Sequence, residues 1–269
     1  KMDLFKPSKW FSWSVHLDGG RREHDISVCQ DGVYDRAVAA IAESKRRGFR
    51  TIINCTLFNN ASPEKVATFF DDVMAMGVDG ISVSPGYAYE RAPDQQHFLN
   101  RERTKTMFRE ILKRGNGGKN WEFTNSSLFM DFLAGNQTYE CTPWSMPLLT
   151  VFGWQKPCYL LNEGYCETFQ ELLDTTDWSK YGRASGNTKC ADCMVHCGYE
   201  PTAVMDTTVR PLKALRVFLQ GIETEKPMVA EIPLQNQRPA QYVFEKQVNS
   251  FVAKIGEEAI LALMASVDD

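Results

Sequence analysis

The sequence predicts an α/β fold in which a small parallel sheet is followed by a smaller, cysteine-rich α+β region. Two observations support this prediction. Apolar stretches of strand length alternate with helical patterns over residues 1–91, and most of the eight cysteines lie within residues 141–197. Nearly continuous apolar strands separated by amphipathic helices are typical of a parallel sheet covered by helices. Residues 1–91 are therefore expected to fold as β-α-β-α-β.

Turn and capping residues delimit the elements of this first region. The helical pattern of residues 34–47 is followed by Gly48, as expected of a residue that caps a helix after a basic last turn. The next helical pattern begins at Ser62-Pro63, and proline is favoured at the first position of a helix. The expected strands are apolar, rich in β-branched residues and bounded by turn residues. They cover residues 11–17, 51–57 and 78–85.

The chain changes character after residue 91. Residues 92–219 are expected to form a second, cysteine-rich domain, with a helix at 102–114 and a strand followed by a helix within 121–135. Small, turn-rich segments of this kind often depend on a metal to organise them. Residues 220–269 are predicted to be a proline-rich linker followed by a tail helix at 242–264, which packs on the protein or on a partner.

Composition excludes several classes of protein. The chain has 269 residues, of which 43% are hydrophobic and 24% charged, and its formal net charge is −4. A mildly acidic chain without a basic stripe is not expected to bind nucleic acid. Eight cysteines are too few for a disulfide scaffold of this length and favour a reducing, cytoplasmic environment. The apolar runs fall short of the ~18 residues of a membrane span, and the pattern shows no basic amphipathic helix.

The densest chemical signal is the motif Cys190-Ala-Asp-Cys193-Met-Val-His-Cys197. A Cys-x-x-Cys turn points two sulfurs at a common centre, and the third thiol lies one turn further along. Three thiolates so close together are typical ligands of an iron–sulfur cluster or a zinc ion. The alternative interpretation is a helix start with buried, inert thiols.

A fourth ligand is needed to complete such a site. Cys158 is assigned as that ligand, with Cys141 as the substitute, while His196 is disfavoured because the side chain of its neighbour Cys197 already points elsewhere. The remaining cysteines have no partner at ligand spacing and are interpreted as free thiols. They are Cys29, Cys55 and Cys166.

Polar side chains occupy one face of each predicted strand near its carboxyl end. Parallel sheets bind ligands at that end, so three successive strands with hydroxyl, amide or imidazole groups favour a pocket for a polar small molecule. The alternative is that His16 and Asp18 simply pair with each other beside a turn. The residues are Ser14, His16, Asp18, Asn54, Thr56, Ser82 and Ser84.

Several of these motifs together resemble the second half of a radical SAM enzyme. The resemblance begins with Ser14-Val-His-Leu-Asp-Gly19, followed by His24-Asp25, and ends with the three-cysteine motif and Gly198-Tyr199. A narrower resemblance, to the adenosylhopane synthases of hopanoid biosynthesis, covers approximately residues 1–221. The segments that carry it are residues 10–18, 84–87, 131–136, 139–144, 152–155 and 190–202.

The resemblance implies both a fold and a reaction. It implies the C-terminal half of a partial (βα)6 radical SAM barrel with parallel strands, followed by the cysteine-rich domain. Members of the family cleave S-adenosylmethionine reductively at a [4Fe-4S] cluster, and the 5'-deoxyadenosyl radical adds to the alkene of the pentacyclic lipid diploptene. An electron donor such as flavodoxin or ferredoxin is implied, in the cytoplasm with peripheral contact at the inner membrane. By the same resemblance the cofactor contacts Ser14, His16, Asp18, Asn54 and Ser84, and the hydrocarbon contacts Trp144, Phe152 and Trp154.

One departure from the family pattern is decisive for what this chain does alone. Radical SAM catalysis requires Cys-x-x-x-Cys-x-x-Cys near the first barrel strand, and this sequence has no such motif. The chain alone is therefore expected not to cleave the cofactor, and its cysteine motif is expected to bind an auxiliary cluster or zinc. Two alternatives stay open: a radical SAM enzyme with an auxiliary cluster that modifies a peptide, and a non-enzymatic metal-binding scaffold.

Overall fold

A parallel three-stranded sheet forms the first part of the computed structural model, which describes residues 2–89, 92 and 95–234. Its strands are β1 (Ser12–His16), β2 (Arg50–Leu57) and β3 (Gly80–Pro85), and they lie in the order β1-β2-β3. Helices α1 (Arg21–Ser27) and α2 (Val33–Arg46) connect the first pair of strands. The predicted β-α-β-α-β order is confirmed, although the short helix α1 is not foreseen by the sequence pattern.

Alternate residues of the strands separate a buried face from a polar one. In β2, Ile53, Cys55 and Leu57 are completely buried, while Asn54 between them is exposed. The buried side chains pack against apolar residues of α2 and of α3 (Pro63–Ala75), such as Phe70. Complete burial of each aliphatic or aromatic side chain contributes about 1.5–3 kcal/mol, so this face holds the helices against the sheet.

Helices α2 and α3 begin and end close to the residues that the sequence predicts. Gly48 follows α2 with a φ of 81°, a left-handed conformation that glycine adopts without steric cost. Pro63 is the first residue of α3, as predicted, and the preceding Ser62 is extended. Gly77 after α3 also has a positive φ, of 78°, so both helices turn sharply into the following strands.

A further backbone segment runs parallel to the outer side of β3. Ile81 forms an isolated parallel bridge with Phe123, through hydrogen bonds from the Ile81 N–H to Glu122 O (2.7 Å) and from the Thr124 N–H to Ile81 O (2.9 Å). A Cβ atom at Gly80 would lie 2.8 Å from Cγ2 of Thr124, so glycine permits this close approach. The sheet thus continues in the parallel sense past β3, and a (βα)6 half-barrel stays a prediction.

The second part of the chain is built from helices and a small antiparallel sheet. The strands β4, β5 and β6 pair in sequence order and are antiparallel. One hydrophobic core cluster runs from Leu17 near the parallel sheet to Tyr199 in the second part. The elements are α4 (Arg101–Arg114), α5 (Ser127–Leu133), β4 (Leu148–Thr150), β5 (Gly153–Gln155), β6 (Tyr165–Cys166), α6 (Phe169–Thr175), α7 (His196–Val209) and α8 (Pro211–Gln220).

Residues 222–232, called here the C-terminal strap, run back across the second part of the chain. The Ile222 N–H donates to Gly117 O (2.9 Å), and the Val229 N–H donates to Gly135 O (3.0 Å). The strap therefore occupies part of the predicted linker, and the predicted tail helix at 242–264 lies outside the described residues. Among the described helices, none is both long and apolar enough to cross a bilayer.

Candidate functional site

The polar face of the parallel sheet carries the side chains that the sequence assigns to a cofactor. The strand register places His16 beside Asn54 and Asn54 beside Ser82, with Thr56 beside Ser84 one step further along. The side chains of this face are exposed or half-buried, whereas the alternate side chains of β2 and β3 are buried. Imidazole, amide and hydroxyl groups thus form neighbouring rows that a polar ligand can contact.

Asp18, just beyond β1, connects the ends of β1 and β2 and helix α1 through its carboxylate. Its carboxylate pairs with Nε2 of His16 (3.0 Å) and accepts hydrogen bonds from the Ser27 hydroxyl (2.6 Å) and the Thr56 N–H (2.8 Å). Burial works against ionisation of Asp18, but these hydrogen bonds together hold its pKa below its usual value. Ligand atoms of His16, Asp18 and His24 lie within 4.8 Å of one another, a grouping that the sequence pattern did not identify.

The hydrogen bond to Asp18 raises the pKa of His16 above its ordinary value of about 6.5. A raised folded-state pKa stabilises the protein fully below the unfolded-state pKa, and this stabilisation is lost as the pH rises through the folded-state value. The His16–Asp18 pair therefore holds the strand end most firmly at mildly acidic pH.

Replacement of Asp18 by alanine is expected to lower the free energy of unfolding by roughly 2–4 kcal/mol, because three hydrogen bonds to a charged group are lost. Urea unfolding followed by circular dichroism measures this effect. The matched control is Asp35→Ala, which removes an exposed pair with Arg21 and should cost less than about 1 kcal/mol. Equal losses in the two variants would contradict the organising role of Asp18.

The structure brings five cysteines into one group, called here the thiol cluster: Cys141, Cys158, Cys190, Cys193 and Cys197. The thiol of Cys141 is influenced electrostatically by all four of the others, and that of Cys193 by Cys158, Cys190 and Cys197. None of them forms a disulfide. The five thiols therefore lie close enough to influence one another, and the proposed fourth ligand and its substitute both belong to the group.

Burial raises the pKa of each thiol in this cluster. The pKa of Cys190 is raised to about 11 and that of Cys197 to about 12. Backbone N–H groups oppose the rise at four of the sulfurs: those of Leu160 and Leu161 at Cys158, that of Gly182 at Cys190, that of Val195 at Cys193 and that of Cys197 at its own sulfur. The influences on Cys141 are burial first and then the four neighbouring thiols. The N–H groups therefore offset part of the cost of forming thiolates, which metals require.

Helix α7 connects the thiol cluster to the polar face of the sheet. His196, within the cysteine motif, bonds through Nδ1 to the hydroxyl of Ser84 on β3 (2.6 Å). Glu200, one turn further along α7, accepts hydrogen bonds from the Asn125 side chain and the Ser126 N–H, both at 2.9 Å. Asn125 in turn accepts from the Val83 N–H (2.9 Å). Two sets of hydrogen bonds, one through His196 and one through Glu200 and Asn125, therefore hold the start of α7 against β3.

A group of buried cations holds the loop of the cysteine motif from behind. Arg101 donates to Cys193 O (2.6 Å) and Arg183 donates to Ala191 O (2.5 Å). Glu231 of the C-terminal strap pairs with both Arg101 and Lys105, whose side chains are each 5% exposed. Positive charge behind the loop would compensate the negative charge of thiolates at its front.

The three aromatic residues predicted to contact substrate occupy or flank the antiparallel hairpin. Phe152 lies at the turn between β4 and β5 and is 75% exposed. Trp154 is half-buried in β5, with its ring centroid 4.9 Å from that of Phe169. The side chain of Trp144 lies outside the described part of the structure. The hairpin presents Phe152 to solvent, so contact with a hydrocarbon at this residue stays a prediction.

The cysteines interpreted as free thiols lie apart from the cluster in three different environments. Cys29 is exposed after α1, Cys55 is in the core beneath β2, and Cys166 is buried in β6. They form no disulfide.

A cavity of about 650 Å³ opens beside the ends of β1 and β2. Of the predicted cofactor residues Asp18 lines it, whereas Ser14, His16, Asn54 and Ser84 face the neighbouring sheet surface. The sequence signal for this cavity is the Asp18-Gly19-Gly20 turn, which leaves space beside the strand end. Its further lining includes Arg22, Glu23, Ser27, Cys29, Ser62, Lys65 and His97.

Comparison with known proteins gives a family match and distant likenesses to solved structures, of which two are described below. The family profile described as "Domain of unknown function (DUF3463)" matches residues 81–217. No curated protein matches the chain significantly. The solved structure of native anSMEcpe with bound AdoMet and Kp18Cys peptide is similar over 94% of this chain and 69% of that chain, with 14% identity and a TM-score of 0.46. Native anSMEcpe with bound AdoMet is similar over 78% of this chain and 68% of that chain, with 13% identity and a TM-score of 0.48.

Proposed function

The chain belongs to the DUF3463 family, and on that premise we propose that it is part of a radical SAM enzyme whose thiol cluster holds an iron–sulfur cluster. The matched residues, 81–217, include β3 from Ile81 onward and every cysteine of the thiol cluster. The domain that defines the family is therefore the one that carries the proposed metal site.

The convergence of the five thiols beside the polar sheet face is the observation that supports this proposal most. Thiolates grouped in this way are typical ligands of an iron–sulfur cluster, and a bound metal would replace the protons of the buried thiols. The hydrogen bond between His196 and Ser84 joins the cysteine motif to the face assigned to the cofactor, which supports a shared site.

The residues present fit an iron–sulfur cluster. Cys158, Cys190, Cys193 and Cys197 would hold it, and N–H groups directed at sulfur are among the means by which proteins tune such clusters. The cluster would supply one-electron chemistry when bound. His196 is bonded to Ser84 through Nδ1 and is not assigned as a ligand.

The polar sheet face would bind S-adenosylmethionine. Asn54 and Ser84 offer an amide and a hydroxyl, both suited to ribose hydroxyls and to the amino acid end of the cofactor. Asp18 orients the imidazole of His16, so that its other ring nitrogen is available to a ligand. The proposed role of these residues is to bind and position the cofactor.

For the reaction itself we propose addition of the adenosyl group of S-adenosylmethionine to the terminal alkene of diploptene, as the sequence resemblance implies. Diploptene, S-adenosylmethionine, two electrons and one proton give adenosylhopane and methionine. A carbon–sulfur bond breaks and a carbon–carbon bond forms, and a flavodoxin or ferredoxin supplies the electrons. The resembling segments at residues 84–87, 139–144 and 190–202 lie together around α7 in the structure, which supports a shared role.

The test is anaerobic incubation of the enzyme as its gene encodes it with S-adenosylmethionine, a reductant and diploptene. Mass spectrometry should detect adenosylhopane, and Asn54→Ala should raise the KM for S-adenosylmethionine about tenfold, the effect of losing ~1.4 kcal/mol of binding. The matched control is Asn120→Ala, an exposed asparagine after α4.

Two outcomes would contradict parts of this proposal. Absence of both 5'-deoxyadenosine and adenosylhopane would reject a radical SAM reaction. Formation of 5'-deoxyadenosine with a modified peptide, and no hopane product, would reject the lipid substrate in favour of the peptide alternative.

A further inference from the structure

Helix α8 carries an apolar stripe that the rest of the described structure leaves exposed. Leu212, Leu215 and Leu219 are between 51% and 80% exposed, and Phe218 beside them is 68% exposed. Monomeric proteins scatter exposed apolar side chains singly, whereas contiguous ones mark an interaction surface. Four large apolar side chains on a ten-residue helix are therefore unusual.

The helix geometry separates this stripe from the side that packs on the protein. Ala214 is buried and Val217 is half-buried, and these two residues lie three apart on the core-facing side. Leu212, Leu215 and Leu219 follow one another at intervals of three and four residues, so they share a different side of the helix. The stripe thus points away from the core along the length of α8.

Basic residues flank the stripe, and acidic residues do not. Residues 207–222 include Arg210, Lys213 and Arg216 and contain no acidic residue, in a chain whose net charge is −4. Asp206 pairs with Arg210 and Lys213 at the foot of the helix. Arg216 is exposed and bonds to Gln220 (3.1 Å), which leaves its positive charge uncompensated within the helix.

We propose that α8 lies on the surface of an anionic lipid bilayer, with Leu212, Leu215, Phe218 and Leu219 among the acyl chains. A helix with leucine and phenylalanine on one face and arginine and lysine on another binds at the interface between headgroups and acyl chains. The long stem of Arg216 allows its charge to reach the headgroups while its methylenes cover the apolar boundary. The sequence pattern did not reveal this helix because its apolar period extends over fewer than three turns.

The choice of a bilayer as the occupant follows from charge and from the substrate. Helix α8 and the residue before it carry three basic side chains against the one carboxylate of Asp206, so this surface complements anionic headgroups. The choice also rests on the proposed function, since diploptene is a hydrocarbon that dissolves in bilayers and not in water. An enzyme bound at the interface can meet this substrate where it resides.

The test is flotation of the full chain with vesicles of phosphatidylcholine containing 30% phosphatidylglycerol, compared with vesicles of phosphatidylcholine alone. We expect binding to the anionic vesicles that weakens at high salt. The double variant Leu215→Ser, Leu219→Ser should bind at least tenfold more weakly, because each leucine transferred to acyl chains contributes more than ~1.4 kcal/mol. Both side chains are exposed, so the fold should be retained, and circular dichroism checks this.

The matched control is Leu149→Ser, Val151→Ser, which removes two exposed apolar side chains from the hairpin that are not assigned to the substrate. Unchanged vesicle binding by the control and weakened binding by the α8 variant support the proposal. Loss of binding in the control alone, equal binding by all three proteins, or no binding by the native chain would overturn it. A native dimer that the α8 variant dissociates, without vesicle binding, would assign the stripe to a second copy instead. None of these readouts needs iron or catalysis, so failure here is separable from failure of the proposed reaction.

Discussion

Replacement of Cys158 by alanine is expected to abolish iron binding, whereas replacement of Cys141 is expected to leave about four iron atoms in the chain. An iron–sulfur cluster of the [4Fe-4S] type takes four thiolate ligands, and the thiol cluster offers five. The structure distinguishes the two candidates for the fourth position by their surroundings.

The N–H groups of Leu160 and Leu161 act on the sulfur of Cys158, as single N–H groups act on those of Cys190 and Cys193. Such donors stabilise a thiolate in a buried site. Cys141 instead packs against α7, where a Cβ atom at Gly198 would lie 2.6 Å from its sulfur. We therefore infer that Cys141 packs beside the ligands without being one of them.

Anaerobic purification of the two alanine variants followed by iron and sulfide analysis measures this difference. Each variant serves as the control for the other, since both changes remove one buried thiol of the same group. Iron retained in Cys158→Ala and lost in Cys141→Ala would reverse the assignment of the fourth ligand.

Glu231→Gln is expected to lower the free energy of unfolding by about 3–5 kcal/mol, the second large effect that the structure predicts. Glu231 pairs with Arg101 and Lys105, which are both buried. Removal of the carboxylate leaves two buried cations facing each other, and the loss should extend to the loop that Arg101 holds through Cys193 O.

The pH dependence of this variant provides a second measurement. Burial first, and then the charges of Arg101, Arg183 and Arg109, lower the pKa of Lys105 to about 8. A lysine pKa below its unfolded value of about 10.4 disfavours the folded state at low pH, so stability increases as the pH rises from about 8 to 10. Glu231→Gln should therefore regain part of its lost stability over that interval.

Urea unfolding at pH 7 and pH 9 tests both expectations. The control Glu225→Gln removes an exposed pair with Lys113 and should cost less than about 1 kcal/mol at either pH. A loss of similar size in the two variants would contradict the role of Glu231 as the counter-ion of the buried cations.

The parallel sheet was predictable because its signals are local. Residues 51–57 show the β-branched run, and Pro63 and Gly48 mark the helix boundaries, each through its own backbone constraint. The placement of His16 and Asn54 on one face follows from the two-residue period of a strand. Residue type and spacing are sufficient for such features.

The connections between the two parts of the chain could not be predicted from the sequence. The bond from His196 to Ser84 joins residues 112 positions apart, and Glu231 reaches Arg101 across 130 positions. No local spacing encodes such pairs, since they depend on how α7 and the strap pack. For the same reason the sequence did not decide which of Cys141 and Cys158 lies near the motif cysteines. Phe152 was expected to contact a substrate, and the structure places it at an exposed turn.

Metal analysis of the anaerobically purified chain tests whether the thiol cluster binds an iron–sulfur cluster. We expect about four iron and four sulfide per chain, both lost in Cys193→Ala, because such a cluster needs about four thiolate ligands. One zinc per chain would make the site structural, and no metal in either protein would show that the cysteines are buried core residues.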